Sequence, residues 1–170
     1  VLMTTDKRVR LMIQGPVDVE DDILAALAEP TLPHYGQTWL PLYRETLERL
    51  KQLFGTQNDL FMIPGAGTAA LEAGMSSLLR GGDKVLVPNN GFFGRRMGKV
   101  AQDWGMEVIT IEAPIDQPLD PQAIRRRLAA EPDVQAVIVV HLETSTGVLN
   151  PLRKIAAVTN EFGVPIIADA

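Results

Sequence analysis

The chain of 170 residues has no cysteine, which excludes disulfides and thiolate metal sites and leaves the redox compartment open. Histidine is scarce, and His34 and His141 stand too far apart to show a ligand spacing. No run approaches the ~20 apolar residues of a membrane span. The opening stretch VLMTTDKRVRLMIQGP lacks a long apolar core followed by a cleavage site, so no secretory leader is expected. Positive charge is also in short supply: 16 Lys and Arg face 21 Asp and Glu, a net charge of −5. Nucleic acid is therefore not expected as the main partner, because phosphate backbones are bound by clustered Lys and Arg. The nearest basic cluster, Arg125 to Arg127, reads as the solvated face of a helix. What is present is ordinary globular usage, with 46 % hydrophobic and 22 % charged residues. That is too apolar for a disordered chain. The class left standing is a cytoplasmic enzyme or binding domain.

Short apolar runs alternate with helical segments. Strands are expected at Asp59 to Ile63, Lys84 to Val87, Glu107 to Ile111, Gln135 to Val140 and Pro165 to Ala168. These runs are continuous in Val, Ile, Leu or Met, as strands buried on both faces are. Helices are expected at Thr68 to Leu79, Gly94 to Trp104, Pro121 to Ala130 and Leu152 to Phe162. Asp120-Pro121 and Asn150-Pro151 each read as an N-cap followed by proline at the first helical position, and Arg80-Gly81-Gly82-Asp83 as a glycine helix stop. Repeated strand–helix–strand units imply an α/β fold, three layers deep, with a mostly parallel sheet. Ahead of it, Asp18 is placed to cap a helix through Leu27, and Trp39 to Phe54 carries apolar residues at helical spacing. The connector Glu29 to Thr38 reads as a packed surface loop or a segment docked on a partner subunit. Length fits one domain, yet Gly163 to Ala170 is an apolar strand with nothing after it to cover Val164, Ile166 and Ile167. The chain is expected to be the front part of a longer protein: an extended arm over 1–20, then the first part of a large domain over 21–170.

Ligands of open parallel sheets bind outside the carboxyl ends of the strands. The first exit, Pro64-Gly65-Ala66-Gly67-Thr68, combines small residues, a hydroxyl and a helix N-terminus, the makings of a phosphate cradle. Gly65, Gly67 and Ala70 also fit the dinucleotide pattern G-x-G-x-x-A. That pattern wants a carboxylate about 20 positions on, and the next strand leaves through Pro88-Asn89-Asn90 instead. Next in that loop, Phe92 and Phe93 can stack on a planar ligand or simply staple a helix to the sheet. Arg95 and Arg96 read as surface charges or helix-face partners rather than ligand clamps. The exit His141 to Val148 offers three hydroxyls, and His141 reads as a satisfied core histidine. No Gly-x-Ser-x-Gly elbow supports a serine hydrolase. Finally, Asp169 closes an apolar strand. A carboxylate there needs a partner, which could be a pyridinium nitrogen, a helix terminus or magnesium.

The four segments PGAGTAALEAG, NNGFFGRR, HLETSTGVLNP and IIADA, in this order, resemble the class V aminotransferases of pyridoxal-phosphate fold type I, nearest to the alanine–glyoxylate and serine–pyruvate branch. The resemblance runs from about Leu11 to Ala170. It implies the large domain of that fold, incomplete here, with a small C-terminal domain still to come. It implies pyridoxal 5'-phosphate as cofactor, with the phosphate on Ala66, Gly67 and Thr68, the ring stacked on Phe93, the ring hydroxyl near Thr144 and the pyridinium nitrogen on Asp169. The Schiff-base lysine would follow Ala170, so no catalytic residue is assigned to this chain. None of Lys7, Lys51, Lys84, Lys99 and Lys154 stands in that motif. The substrate-gripping arginine would come later still, and the family's Gly–Pro–Gly appears only as Gln14-Gly15-Pro16-Val17. The implied protein is a homodimer that moves an amino group from alanine or serine to glyoxylate or pyruvate. Other readings are a desulfurase or lyase of the same fold acting on cysteine or kynurenine, a nicotinamide-dependent oxidoreductase, and a non-catalytic phosphate-binding or assembly module.

Overall fold

Continuous Val, Leu and Ile runs need cover on both faces; four of the five expected strands form, and the two central ones find that cover. The computed structural model describes residues 10–170, so residues 1–9 of the expected arm lie outside the described residues. Its strands are β1 (Lys84–Asn89), β2 (Glu107–Glu112), β3 (Val134–Val140), a short hairpin of β4 (Leu142–Glu143) and β5 (Val148–Leu149), and β6 (Ile166–Asp169). The main sheet has the order β2-β1-β3-β6 and every pairing in it is parallel. Central β1 and β3 are buried along almost their whole length, while the flanking β2 and β6 are partly open.

The helices are α1 (Asp21–Leu27), α2 (Gly36–Phe54), α3 (Gly67–Leu78), α4 (Phe92–Asp103), α5 (Pro121–Ala130) and α6 (Leu152–Glu161). Alternate residues of the sheet feed two separate cores. On one face Val85, Val87, Ile138 and Val140 pack with Met75 of α3 and with Met97 and Ala101 of α4. On the other, Leu86, Val137 and Val139 pack with Ile124 and Leu128 of α5 and with Ile155 and Val158 of α6. The three layers and parallel sheet are thus as expected. Val164 and Ile166 are half-buried and Ile167 is buried against the first core, so the last apolar run is better covered than its sequence position suggests. The chain divides into a unit ending at Met62 and a unit spanning Ile63–Ala170. In the first unit no described residue is fully buried, and the stripe of α2 reaches only half-burial at Trp39, Tyr43, Leu47 and Leu50.

Several local expectations are corrected. Asp59 to Ile63 forms no strand; Phe61 is 83 % exposed, and without a hydrogen-bonded neighbour or a cover an apolar run has nothing to hold it extended. Asp18 does not cap α1: its carboxylate accepts from the Leu11 amide at 3.1 Å, and Glu20 flanks the helix without a side-chain cap. Helix α2 begins earlier than expected, at Gly36, with Pro41 inside it. The glycine pair after α3 is not its cap, since the helix ends at Leu78 and Gly82 serves the turn into β1 at φ +91°. Asp120 does cap α5, accepting from the Gln122 and Ala123 amides at 2.9 and 3.1 Å.

Asn150 does not cap α6. It turns inward, where it is 1 % exposed, and becomes the hub of a polar network. Its Nδ2 donates to the Val140 carbonyl at 2.8 Å and its Oδ1 accepts from Asn90 Nδ2 at 2.9 Å and from the Leu119 amide at 3.0 Å. Three loops at the carboxyl edge of the sheet are tied together there. Replacing Asn150 with alanine strands each of these groups, at roughly 1–3 kcal/mol for a buried unsatisfied polar group. The expected loss is about 2–4 kcal/mol in urea denaturation. A loss under about 0.5 kcal/mol would mean the network contributes little.

Candidate functional site

The ligand position of an open α/β sheet lies where successive connections leave in opposite directions. Here that point is between β1 and β3, whose outer neighbours are β2 and β6. Beside it lies a cleft of about 350 Å³. Its walls include Ala66, Gly67 and Thr68 from the start of α3, Phe93 and Arg96 from α4, and Asp169 at the end of β6. Leu71, Met75, Met97 and Val100 close it with apolar surface. Five of the six site residues expected from sequence therefore meet in one place. The sixth, Thr144, is half-buried in the turn between β4 and β5 and is not among the lining residues.

The cleft lining combines several chemistries. At the α3 end, Ala66 flanks the helix in an extended conformation and no side chain caps the first turn. Amides at a helix start without a cap favour an anion, and the helix dipole adds to that. In the same cleft, the half-buried Asp169 supplies a carboxylate. The half-buried Phe93 ring supplies a flat surface in the same cleft. An anion-binding end, an aromatic wall and a carboxylate fit a planar, phosphorylated, cationic heterocycle. Among the described residues no lysine lines the cleft, and no group of acidic or histidine residues could hold a metal ion.

Lys84 illustrates why the lysines present are poor candidates for covalent chemistry. Its ammonium lies 2.8 Å from Asp133, 3.2 Å from Glu131 and 3.7 Å from Glu107. The hydrogen bond to Asp133, then that to Glu131, raises its pKa above the ordinary lysine value, which keeps the amine protonated and non-nucleophilic.

Residues that sequence reasoning passed over hold the site in shape. Glu143 is fully buried at the end of the β4 strand and caps α4 from fifty residues away. One of its oxygens accepts from the Phe93 and Gly94 amides, both at 3.1 Å, and the other from the Ser145 amide at 3.2 Å and the Ser145 hydroxyl. Burial pushes its pKa up, but the Ser145 hydroxyl and then the Gly94, Phe93 and Ser145 amides outweigh this and hold it below the usual carboxylate value. Ser145 in turn accepts from the Phe92 amide at 2.9 Å. The hydroxyl-rich exit thus braces α4, and it is Ser145 and Glu143 that do so. Glycine at 91 is required by space, since a Cβ would lie 2.3 Å from two Glu143 carbons. Gly94 is similarly confined, with a Cβ 2.6 Å from Asn89 Oδ1.

Arg96 is the main departure within the cleft. It is exposed, in keeping with a surface charge or helix-face partner, but it also lines the cleft, and its Nη2 donates to Thr68 Oγ1 at 2.9 Å. The signal was available: Phe93 and Arg96 are three apart on one helix, and residues so spaced share a face.

A three-layer parallel sheet with these strand-exit loops is the architecture of the pyridoxal-phosphate transferases. A family model described as the DegT/DnrJ/EryC1/StrS aminotransferase family matches residues 41–170, and the chain belongs to that family. It is 37 % identical over 159 residues to an uncharacterized aminotransferase of Methanocaldococcus jannaschii, covering 94 % of this chain and 41 % of the relative. It is 40 % identical over 164 residues to a soluble hydrogenase 42 kDa subunit of Anabaena cylindrica, covering 95 % of this chain and 43 % of the relative. An alanine–glyoxylate aminotransferase from Nostoc sp. matches in structure with a TM-score of 0.89 and 30 % identity, covering 99 % of this chain and 45 % of that one. The chain spans about two fifths of the length of the curated relatives it matches. Aminotransferases of this fold use pyridoxal phosphate. Among the described residues no helix is long and apolar enough to cross a membrane.

Proposed function

We propose that the chain forms the cofactor-binding part of a class V, pyridoxal-phosphate-dependent aminotransferase. The protein would be a cytoplasmic homodimer that moves an amino group from alanine or serine to a 2-oxo acid such as glyoxylate or pyruvate. The observation that carries the reading is the convergence on one cleft of Thr68 and the open start of α3, Phe93 after β1, and Asp169 at the end of β6. The alanine–glyoxylate activity in the name of the Nostoc protein supports the substrate class.

When bound, the cofactor supplies an electron sink for the bond broken at the substrate α-carbon. In this chain the amides at the start of α3 and the Thr68 hydroxyl would hold the phosphate, and Phe93 would offer the ring a flat surface and help exclude water. Asp169 would keep the ring nitrogen protonated. Thr144 is given no contact.

The full-length protein is expected to turn yellow with pyridoxal 5'-phosphate, and borohydride is expected to fix the cofactor to a lysine identifiable by peptide mass spectrometry. Alanine and glyoxylate should then yield pyruvate and glycine, and light scattering should give twice the subunit mass. Tight nicotinamide binding without the yellow species would overturn the cofactor reading in favour of the oxidoreductase.

A further inference from the structure

We propose that Arg96 is a positioning residue for the phosphate end of the cofactor: it fixes the Thr68 hydroxyl as a hydrogen-bond donor and places a positive charge beside it. The inference rests on the cofactor reading above and deepens it. A guanidinium has five donors and no acceptor, so Thr68 Oγ1 can meet it only with a lone pair. Arg96 Nη2 occupies that lone pair at 2.9 Å. The hydroxyl proton is thereby left to point elsewhere, and an acceptor in the cleft is what it can serve. A serine or threonine with no such partner rotates freely between donating and accepting; this one is set to donate before the ligand arrives.

Charge points the same way. Among the described residues no carboxylate lies within ion-pair distance of Arg96, whereas Lys99, one turn further along α4, pairs with Asp103. An unpaired cation on the wall of a cleft, bonded to the first turn of α3, adds to the anion preference of that turn. Asp169 lines the same cleft and no ion pair joins it to Arg96, so both charges remain available to a ligand. Because Arg96 is bonded to the Thr68 hydroxyl, its place is with the phosphate and not with a substrate carboxylate.

The test titrates the full-length apoprotein with pyridoxal 5'-phosphate and, separately, with pyridoxal, which lacks the phosphate. Arg96→Met should weaken pyridoxal phosphate binding by about 10- to 100-fold, the range for losing a hydrogen bond to a charged group. Pyridoxal binding should stay within about twofold. Arg96→Lys, which keeps the charge and a donor, should recover part of the loss. Thr68→Val should reproduce most of the Arg96→Met effect, and the double variant should lose little more than either single one, because both remove one coupled arrangement. Equal losses for the two ligands, or strictly additive losses in the double variant, would overturn the assignment. Wild-type protein that binds neither ligand would instead overturn the cofactor reading on which it stands.

Discussion

Replacing Glu143 with alanine is expected to cost about 3–5 kcal/mol in chemical denaturation, a large share of the 5–15 kcal/mol typical of a domain. The carboxylate serves two amides at the start of α4 and both donors of Ser145. Each buried donor left without a partner costs roughly 1–3 kcal/mol, and the favourable charge at the helix N-terminus is lost with it. Glutamine keeps one oxygen acceptor but turns an amide nitrogen toward backbone donors, so it should fall between alanine and the wild type. The pH dependence has a definite sign. The folded pKa of Glu143 lies below its unfolded value of about 4.3, so its contribution is present above that pH and is lost as the pH falls through the folded value. The stability gap between wild type and Glu143→Gln should therefore be flat near neutrality and narrow below about pH 4. A gap that persists unchanged to pH 2 would mean the charge on Glu143 is not what holds α4.

Asp169→Asn is expected to cripple the cofactor site while leaving the fold intact. The backbone of Asp169 is fixed independently of its side chain, through its pairing with Val140 and a 2.8 Å bond from the His141 amide to its carbonyl. An amide of nearly the same shape keeps the packing but cannot hold a proton on a ring nitrogen. Losing one partner of a desolvated charge pair costs about 2–5 kcal/mol, or roughly 30- to several thousand-fold. That loss should fall on pyridoxal phosphate affinity and on transamination by the full-length protein, with the melting temperature within about 2 °C of wild type. Unchanged affinity and turnover would remove Asp169 from the site.

The architecture was legible because its signals were redundant. Continuous apolar runs marked strands with two buried faces, and Asp120-Pro121 marked a helix start that the structure repeats. Phe93 and Asp169 could be picked out because each is a chemically unusual residue after an apolar strand, and Thr68 because it follows a small-residue turn at a helix start; the fold brings all three to one cleft. What failed were inferences that depend on which way a side chain turns. Asn150-Pro151 has the composition of a cap, but its amide found three partners inward and α6 begins without it. Arg95 and Arg96 are adjacent and chemically identical; only the helical phase relative to Phe93 separates them. Glu143 was hidden among hydroxyls, because nothing local to HLETSTG reveals that its donors come from a helix fifty residues earlier. Asp59 to Ile63 had strand composition and no strand to pair with.

The long-distance cap on α4 also ties the exchange kinetics of two remote segments. The Phe93 and Gly94 amides are held by a carboxylate that belongs to the short β4–β5 hairpin. Amides exchange with solvent through local openings whose free energies vary across a structure. Deuterium uptake at the start of α4 therefore reports on the hairpin, although the helix itself can stay wound. A ligand that stiffens one segment slows exchange in both, and a sequence change in the hairpin alters the mobility of the wall that carries Phe93 and Arg96 without touching the cleft.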